Sequence, residues 1–240
     1  MAHRKQGYRF KNDWPPEHQD YLFQNYKSAV TIPVNVEIEV DHHVLNMDNV
    51  KQILSGARII SLMDCGCRSI YGHCDAPVSV CIDINEFAEL NIASSQKGTN
   101  ETTRDEEHAG ALLNAREITL DEAMEVLEKT HKAGLVHMAY GHGEFYEPGV
   151  INSICSCCVC CCGVLSGILR FGLAPHLLTS HSIAVTDESA CIACGQCVER
   201  CQFGAREIID GSLTVNNDLC FGCGLCLSTC PTNAITLIDK

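Results

Sequence analysis

The sequence predicts two units: an α/β or α+β cysteine-rich domain over residues 1–182, led by an N-terminal arm, and a small, separately organised domain over 183–240. Three observations lead there. Strand and helix periodicities alternate through the first part, the cysteines fall into three separated groups, and the last group carries its own internal repeat. The polar stretch Leu178 to Ala184 marks the boundary. A chain of 240 residues fits one to two domains, at roughly 150 residues each.

Taken in order, the aromatic start (Tyr8, Phe10, Trp14, Tyr21, Phe23, Tyr26) reads as an arm packing on the body or on a second subunit. Val34, Val36, Ile38 and Val40 alternate with polar residues, the period of a half-buried strand. Met47 to Ala57 reads as a helix. Ala57 to Met63 is a short β-branched run, which places Cys65 and Cys67 on the loop leaving a buried strand. The polar stretch Asn91 to Glu107 reads as a solvated loop, with a flap as the other reading. Thr119 and Glu122 form a capping-box pattern, after which Leu120, Ala123, Met124 and Leu127 recur at helical spacing until Gly134 ends the helix. Leu135 to Ala139 reads as a further strand.

Lys and Arg number 17 against 30 Asp and Glu, and a net charge of −13 leaves no basic surface for a phosphate backbone, so nucleic acid is excluded as a partner. Eighteen cysteines imply either a disulfide framework or thiolate metal ligands. No apolar run follows the basic residues at the N-terminus, so no cleaved secretory signal is expected. The reading is therefore a cytoplasmic, metal-binding chain. Ile154 to Leu169 has no formal charge, yet six of its residues are cysteine and Arg170, Gly172 and Pro175 follow, so no transmembrane span is expected.

Cys191, Cys194, Cys197 and Cys201 make C-x2-C-x2-C-x3-C, and Cys220, Cys223, Cys226 and Cys230, followed by Pro231, repeat it. Three thiolates spaced by two residues can wrap one corner of a cubane, with Gly195, Gly222 and Gly224 letting backbone amides approach the sulfides; the fourth ligand must come from elsewhere. Paired zinc knuckles do not use three evenly spaced cysteines. Residues 183–240 closely resemble the bacterial-type two-cluster ferredoxins. That resemblance implies a pseudo-twofold pair of β-hairpin and short-helix units around two 4Fe-4S clusters. It also implies crossed ligation, with Cys191, Cys194, Cys197 and Cys230 on one cluster and Cys220, Cys223, Cys226 and Cys201 on the other. Gln202 stands where that family usually has proline, which removes a rigid turn and adds an amide donor near the second cluster.

The remaining cysteines are Cys65, Cys67, Cys74 and Cys81, then Cys155, Cys157, Cys158, Cys160, Cys161 and Cys162. Placed on a helix, the second group divides into Cys155, Cys158 and Cys162 on one face and Cys157, Cys160 and Cys161 on the other, three ligands per face. Fourth ligands would then come from the first group, giving one or two further iron-sulfur clusters and two spare thiols. Structural zinc or free thiols is the other reading. The motifs DCGCR (64–68), CDAPVSVC (74–81), GLVH (134–137) and ICSCCVCCC (154–162) resemble the cysteine-rich domain of predicted iron-sulfur proteins of anaerobic bacteria and archaea, which implies that the two groups meet in space. Cys161, Cys162 and Gly163 also echo the CCG element of heterodisulfide reductase, without that family's upstream cysteine.

Among eleven histidines, His73, His137 and His142 lie near cysteine groups or at the end of a strand and read as satisfied structural residues. No C-x-x-C-H, G-x-G-x-x-G or P-loop occurs, so covalent haem, dinucleotide and ATP chemistry are not expected. The functional expectation is an iron-sulfur protein relaying low-potential electrons through several clusters to a redox partner protein. The alternative is an oxidoreductase in which an N-terminal cluster reduces a disulfide, a corrinoid or another substrate, fed by the ferredoxin part. Catalytic residues are unassigned, and the oligomeric state, a homo-oligomer included, stays open.

Overall fold

The computed structural model describes residues 26–32, 39–40, 43–44, 47–97, 114–142, 151–170, 178–179 and 182–239. The aromatic arm up to residue 25, Val34, Val36 and Ile38, residues 98–107, Gly172 and Pro175 lie outside them. The chain opens with β1 (Tyr26–Ile32) and the short hairpin β2 (Glu39–Val40) and β3 (His43–Val44). Helix α1 (Met47–Gly56) leads into β4 (Ile60–Asp64), the one-turn helix α2 (Gly66–Tyr71) and β5 (Ser79–Ile84). Then come α3 (Asn85–Lys97), β6 (Arg116–Glu117), α4 (Leu120–Lys132), β7 (Val136–His142), β8 (Ser153–Cys157), α5 (Gly163–Arg170) and β9 (Leu178–Thr179).

Seven of these strands form one sheet in the order β6-β4-β5-β8-β7-β1-β9, antiparallel throughout except for the β1–β9 pair, while β2 and β3 pair with each other. An antiparallel sheet makes the architecture α+β, and the parallel α/β alternative is set aside. The α4 capping box forms as the sequence requires: the Glu122 amide donates to Thr119 Oγ1 at 3.2 Å, and the Thr119 amide donates to Glu122 Oε2 at 2.9 Å. Gly134, at φ +83°, ends the helix.

Alternation along the strands divides the sheet's two faces. Ile82, Ile154, Leu62 and Ala139 pack with Leu54 and Leu127 in an apolar core under α1 and α4. The intervening residues of β8, Cys155 and Cys157, stand on the other face, opposite Met138 and Val136 of β7. Residues 91–97 depart from the solvated-loop expectation, because they complete α3. Two of their polar groups have internal partners: buried Asn91 donates to buried Asp83 at 2.9 Å, and Ser95 Oγ accepts from the Ala115 amide at 2.9 Å.

Beyond β9 the chain leaves the large sheet. β10 (Ser182–Thr186) pairs antiparallel with β13 (Ile235–Asp239), and β11 (Arg206–Ile209) pairs with β12 (Ser212–Val215). Between them lie the short helix α6 (Gln196–Arg200) and a 3-10 turn over Asn217–Leu219. Ala184, Ala205, Ile235, Cys197, Cys220 and Cys226 form their common core. Two small two-stranded antiparallel sheets, one of them the β11–β12 hairpin and the other joining the first and last strands of the segment, are with their short helices broadly compatible with a ferredoxin-like fold. Among the described residues no helix is long and apolar enough to cross a membrane; residues 154–169 run through β8, a turn and α5.

Candidate metal centres

The eight cysteines of the C-terminal unit line two separate cavities. Cys191, Cys194 and Cys197 face one cavity together with Cys230, from the far end of the unit. Cys220, Cys223 and Cys226 face the other together with Cys201. Local backbone makes this possible. The residues that curl each run, Ala193 and Gly195 in the first and Gly222 and Gly224 in the second, occupy matching positions with φ between +50° and +77°. The fourth cysteine of each run is held alike: the Ala205 amide donates to Cys201 Sγ at 3.3 Å, and the Ala234 amide donates to Cys230 Sγ at 3.3 Å.

Between the cavities lies Arg206, 3% exposed, donating to Ala184 O at 2.8 Å and Thr186 Oγ1 at 2.9 Å. Burial pushes the thiols of Cys197 and Cys226 up, Cys226 to about 12, and the Arg206 guanidinium opposes that rise at both. A buried cation beside two sets of thiolates offsets the charge that clustered ligands bring.

The second cavity faces the large sheet. Leu225, only 1% exposed, inserts into a core built by Val136, Met138, Tyr140, Cys157, Cys162 and Leu165, and Phe203, Phe221 and Cys223 pack against the same core. Polar contacts frame this seam. Arg200 donates to the carbonyls of His131 and Lys132, the second at 3.0 Å, and Gln202 Nε2 donates to Gly134 O at 2.6 Å. His131 Nε2 pairs with Ser228 Oγ at 2.7 Å. A Cβ on Gly134 would stand 3.1 Å from Arg200 Nη1, so the glycine of the GLVH motif leaves room for the guanidinium.

The two N-terminal cysteine groups do meet in space, but not by the helical division. Residues 153–157 are strand and 158–162 a turn, so Cys155 and Cys157 share a sheet face while Cys158, Cys160 and Cys161 swing to another side. The physical reason is the period of two in Ser153-Ile154-Cys155-Ser156-Cys157, locked by pairing on both β5 and β7. One set therefore comprises Cys65, Cys67, Cys81, Cys155, Cys157 and Cys162. Cys65, Cys81, Cys67 and Cys155 pack together around Val80. Cys67 and Cys81 pull the Cys65 thiol well below the ordinary range, Cys65 pushes Cys67 up, Cys155 pushes Cys81 up, and Cys157 pushes Cys162 up. Backbone amides are aimed at two of these sulfurs, Gly163 at Cys67 Sγ at 3.3 Å and Leu165 at Cys162 Sγ at 3.4 Å, and the Tyr140 hydroxyl, which donates to Met138 Sδ, lies 3.3 Å from Cys157 Sγ. Cys65, at the start of α2, and Cys67, inside it, are held by that helix rather than by an open loop.

The other set is Cys74, Cys158, Cys160 and Cys161, all buried, with ligand atoms within 4.8 Å of one another. Cys160, Cys161 and Cys74 pull Cys158 well below the ordinary thiol range, while Cys158 pushes Cys160 and Cys161 up. Arg68, 2% exposed, points Nη2 at Cys158 Sγ, 3.5 Å away, and donates from the same nitrogen to Ser156 O at 3.0 Å. Sequence reasoning missed Arg68, Arg206 and Leu225, whose roles depend on long-range packing. Of the three histidines singled out, His73 Nδ1 contacts Cys160 O at 2.9 Å, His137 packs beneath the sheet, and His142 closes β7.

Buried cysteine groups with amide and guanidinium partners are a donor chemistry that iron-sulfur clusters use. Residues 184–237 match the 4Fe-4S dicluster domain family. No curated protein matches the chain. The dicluster segment supports iron-sulfur cofactor binding and a part in iron-sulfur electron transfer, and the separate four-cysteine group supports metal binding.

Proposed function

We propose that the chain is a multi-centre electron relay, divided near residue 182, in which a two-cluster ferredoxin unit is docked on a second unit with thiol-held centres. One 4Fe-4S cluster would sit on Cys191, Cys194, Cys197 and Cys230, the other on Cys201, Cys220, Cys223 and Cys226; the shared lining of each cavity supports this crossed assignment. A further iron-sulfur centre would sit on the six-thiol set. Such clusters, when bound, accept and release single electrons.

The observation that carries the reading is the seam. Leu225 and Cys223, which flank the second cavity, pack against the core that contains Cys157 and Cys162 of the six-thiol set. The first cavity lies toward solvent, where Cys194 is exposed and Ile192 is 63% exposed. With clusters bound, Cys191, Cys194, Cys197 and Cys230 would hold the one nearer a redox partner protein, and Cys223 and Leu225 would flank the one nearer the six-thiol set, so single electrons could pass between them. A surface with net charge −13 suits fast, transient encounter with a basic partner.

Iron and acid-labile sulfide counted on the full chain, prepared without oxygen, test this. The relay requires more than the eight irons and more than the eight labile sulfides of two cubanes. Cys81→Ser and Cys155→Ser should lower the count while leaving the spectrum of the ferredoxin pair intact. An iron count of eight in the unsubstituted chain would overturn the third centre.

A further inference from the structure

The two N-terminal thiol sets are not equivalent, and sulfur spacing separates them. Cys74 Sγ lies 3.7 Å from Cys158 Sγ and 3.7 Å from Cys161 Sγ, and Cys161 Sγ lies 3.8 Å from Cys160 Sγ. A single metal ion bound tetrahedrally by four thiolates at about 2.3 Å places its ligands at the corners of a tetrahedron with an edge of about 3.8 Å. In a cubane each thiolate caps a different iron, with sulfide between, so the four sulfurs stand much further apart. Among the described residues this is the one group of three or more ligand side chains drawn within such a radius; neither ferredoxin quartet is.

We propose that Cys74, Cys158, Cys160 and Cys161 hold one mononuclear divalent ion, Fe2+ or Zn2+, in a closed tetrathiolate site rather than an iron-sulfur cluster. Tetrahedral all-sulfur coordination suits both metals, and four protein ligands leave no open position. The surroundings fit the charge. One divalent ion with four thiolates carries two net negative charges, and the buried Arg68 guanidinium beside Cys158 offsets one. His73 Nδ1 on Cys160 O ties the turn that carries three of the ligands to the strand of chain that supplies Cys74. This site stands apart from the relay reading, which needs only the ferredoxin quartets and the six-thiol set.

The test uses the full chain, isolated without oxygen from cells grown on 57Fe with zinc supplied. Metal analysis and Mössbauer spectroscopy should find one zinc per chain, or one high-spin ferrous tetrathiolate doublet distinct from the cluster irons; which of the two appears identifies the metal. Cys160→Ser should remove that ion and leave labile sulfide unchanged. Sulfide lost together with several irons in Cys160→Ser would show a cluster and overturn the proposal. If that variant does not fold, the unsubstituted chain decides: less than one zinc per chain together with no ferrous tetrathiolate doublet overturns it. A ferrous ion in this site adds one iron and no labile sulfide, so the relay is judged by labile sulfide, which must exceed the eight of two cubanes, and the two readings fail separately.

Discussion

Two histidines beneath the sheet illustrate how burial fixes charge at single residues. His131 and His137 stack with ring centroids 6.1 Å apart. Ser156 Oγ donates to Thr130 Oγ1 at 2.9 Å, and Thr130 donates to Leu127 O at 3.0 Å, so Ser156 accepts from His137 Nδ1 at 3.1 Å. The proton of His137 is thereby placed on Nδ1. Burial lowers His131 to about 4, with the charge of Arg200 as the second cause, and lowers His137 to about 3, with His131 second. Both stay neutral in the folded chain, and the unfolded chain takes up their protons first, near the ordinary histidine value of about 6.5. Their contribution to stability is complete above that pH and is lost as pH falls toward the folded values, with a slope approaching about 1.4 kcal/mol per pH unit for each. Denaturant midpoints of the full chain at pH 7.5 and 5.5 should show this loss, and His131→Gln should reduce it. An equal loss in the variant would show that His131 titrates normally in the fold.

At the scale of elements, the turn from α4 into β7 is where the two units are fastened. Gly134 adopts φ +83°, its carbonyl accepts from Gln202, and Arg200 lies against its Cα. Gly134→Ala adds backbone strain of about 1–2 kcal/mol and a methyl group at the guanidinium. Gln202→Ala leaves a buried carbonyl unpaired at a cost of about 1–3 kcal/mol. Both variants should lower thermal stability, whereas an unchanged melting temperature in both would contradict the fastening. Much of this region was legible in sequence. The capping box, the α4 periodicity and the glycine stop arise from local chemistry and appear where expected. Gln202 was legible as a departure from the ferredoxin pattern, but its partner, 68 residues away in the chain, was not.

The cysteine-dense segment shows the opposite case. Cysteine serves equally as a small apolar residue in strand, turn or helix, so six of them within eight residues carry no period that propensity can read. Pairing of β8 between β5 and β7 decides the matter instead, and that pairing is tertiary. Once it is in place, the ten N-terminal thiols fall into sets of six and four without further assumptions.

Across the whole molecule, the proposed relay draws one line from the exposed Cys194 side through the two C-terminal cysteine quartets and the Leu225 seam to the six-thiol set. The dicluster segment, residues 184–237, was legible because its cysteine spacing is repeated and local. The direction of the line was not, because only packing shows that the Cys223 cavity, and not the Cys194 cavity, faces the sheet. Electron paramagnetic resonance of the dithionite-reduced full chain tests this arrangement most directly. The signal of the Cys201, Cys220, Cys223 and Cys226 cluster should be broadened by a paramagnetic neighbour across the seam and should sharpen when Cys65→Ser removes that neighbour, while the other ferredoxin signal keeps its coupling. A line shape that does not change between the full chain and Cys65→Ser would contradict a relay that runs through the seam.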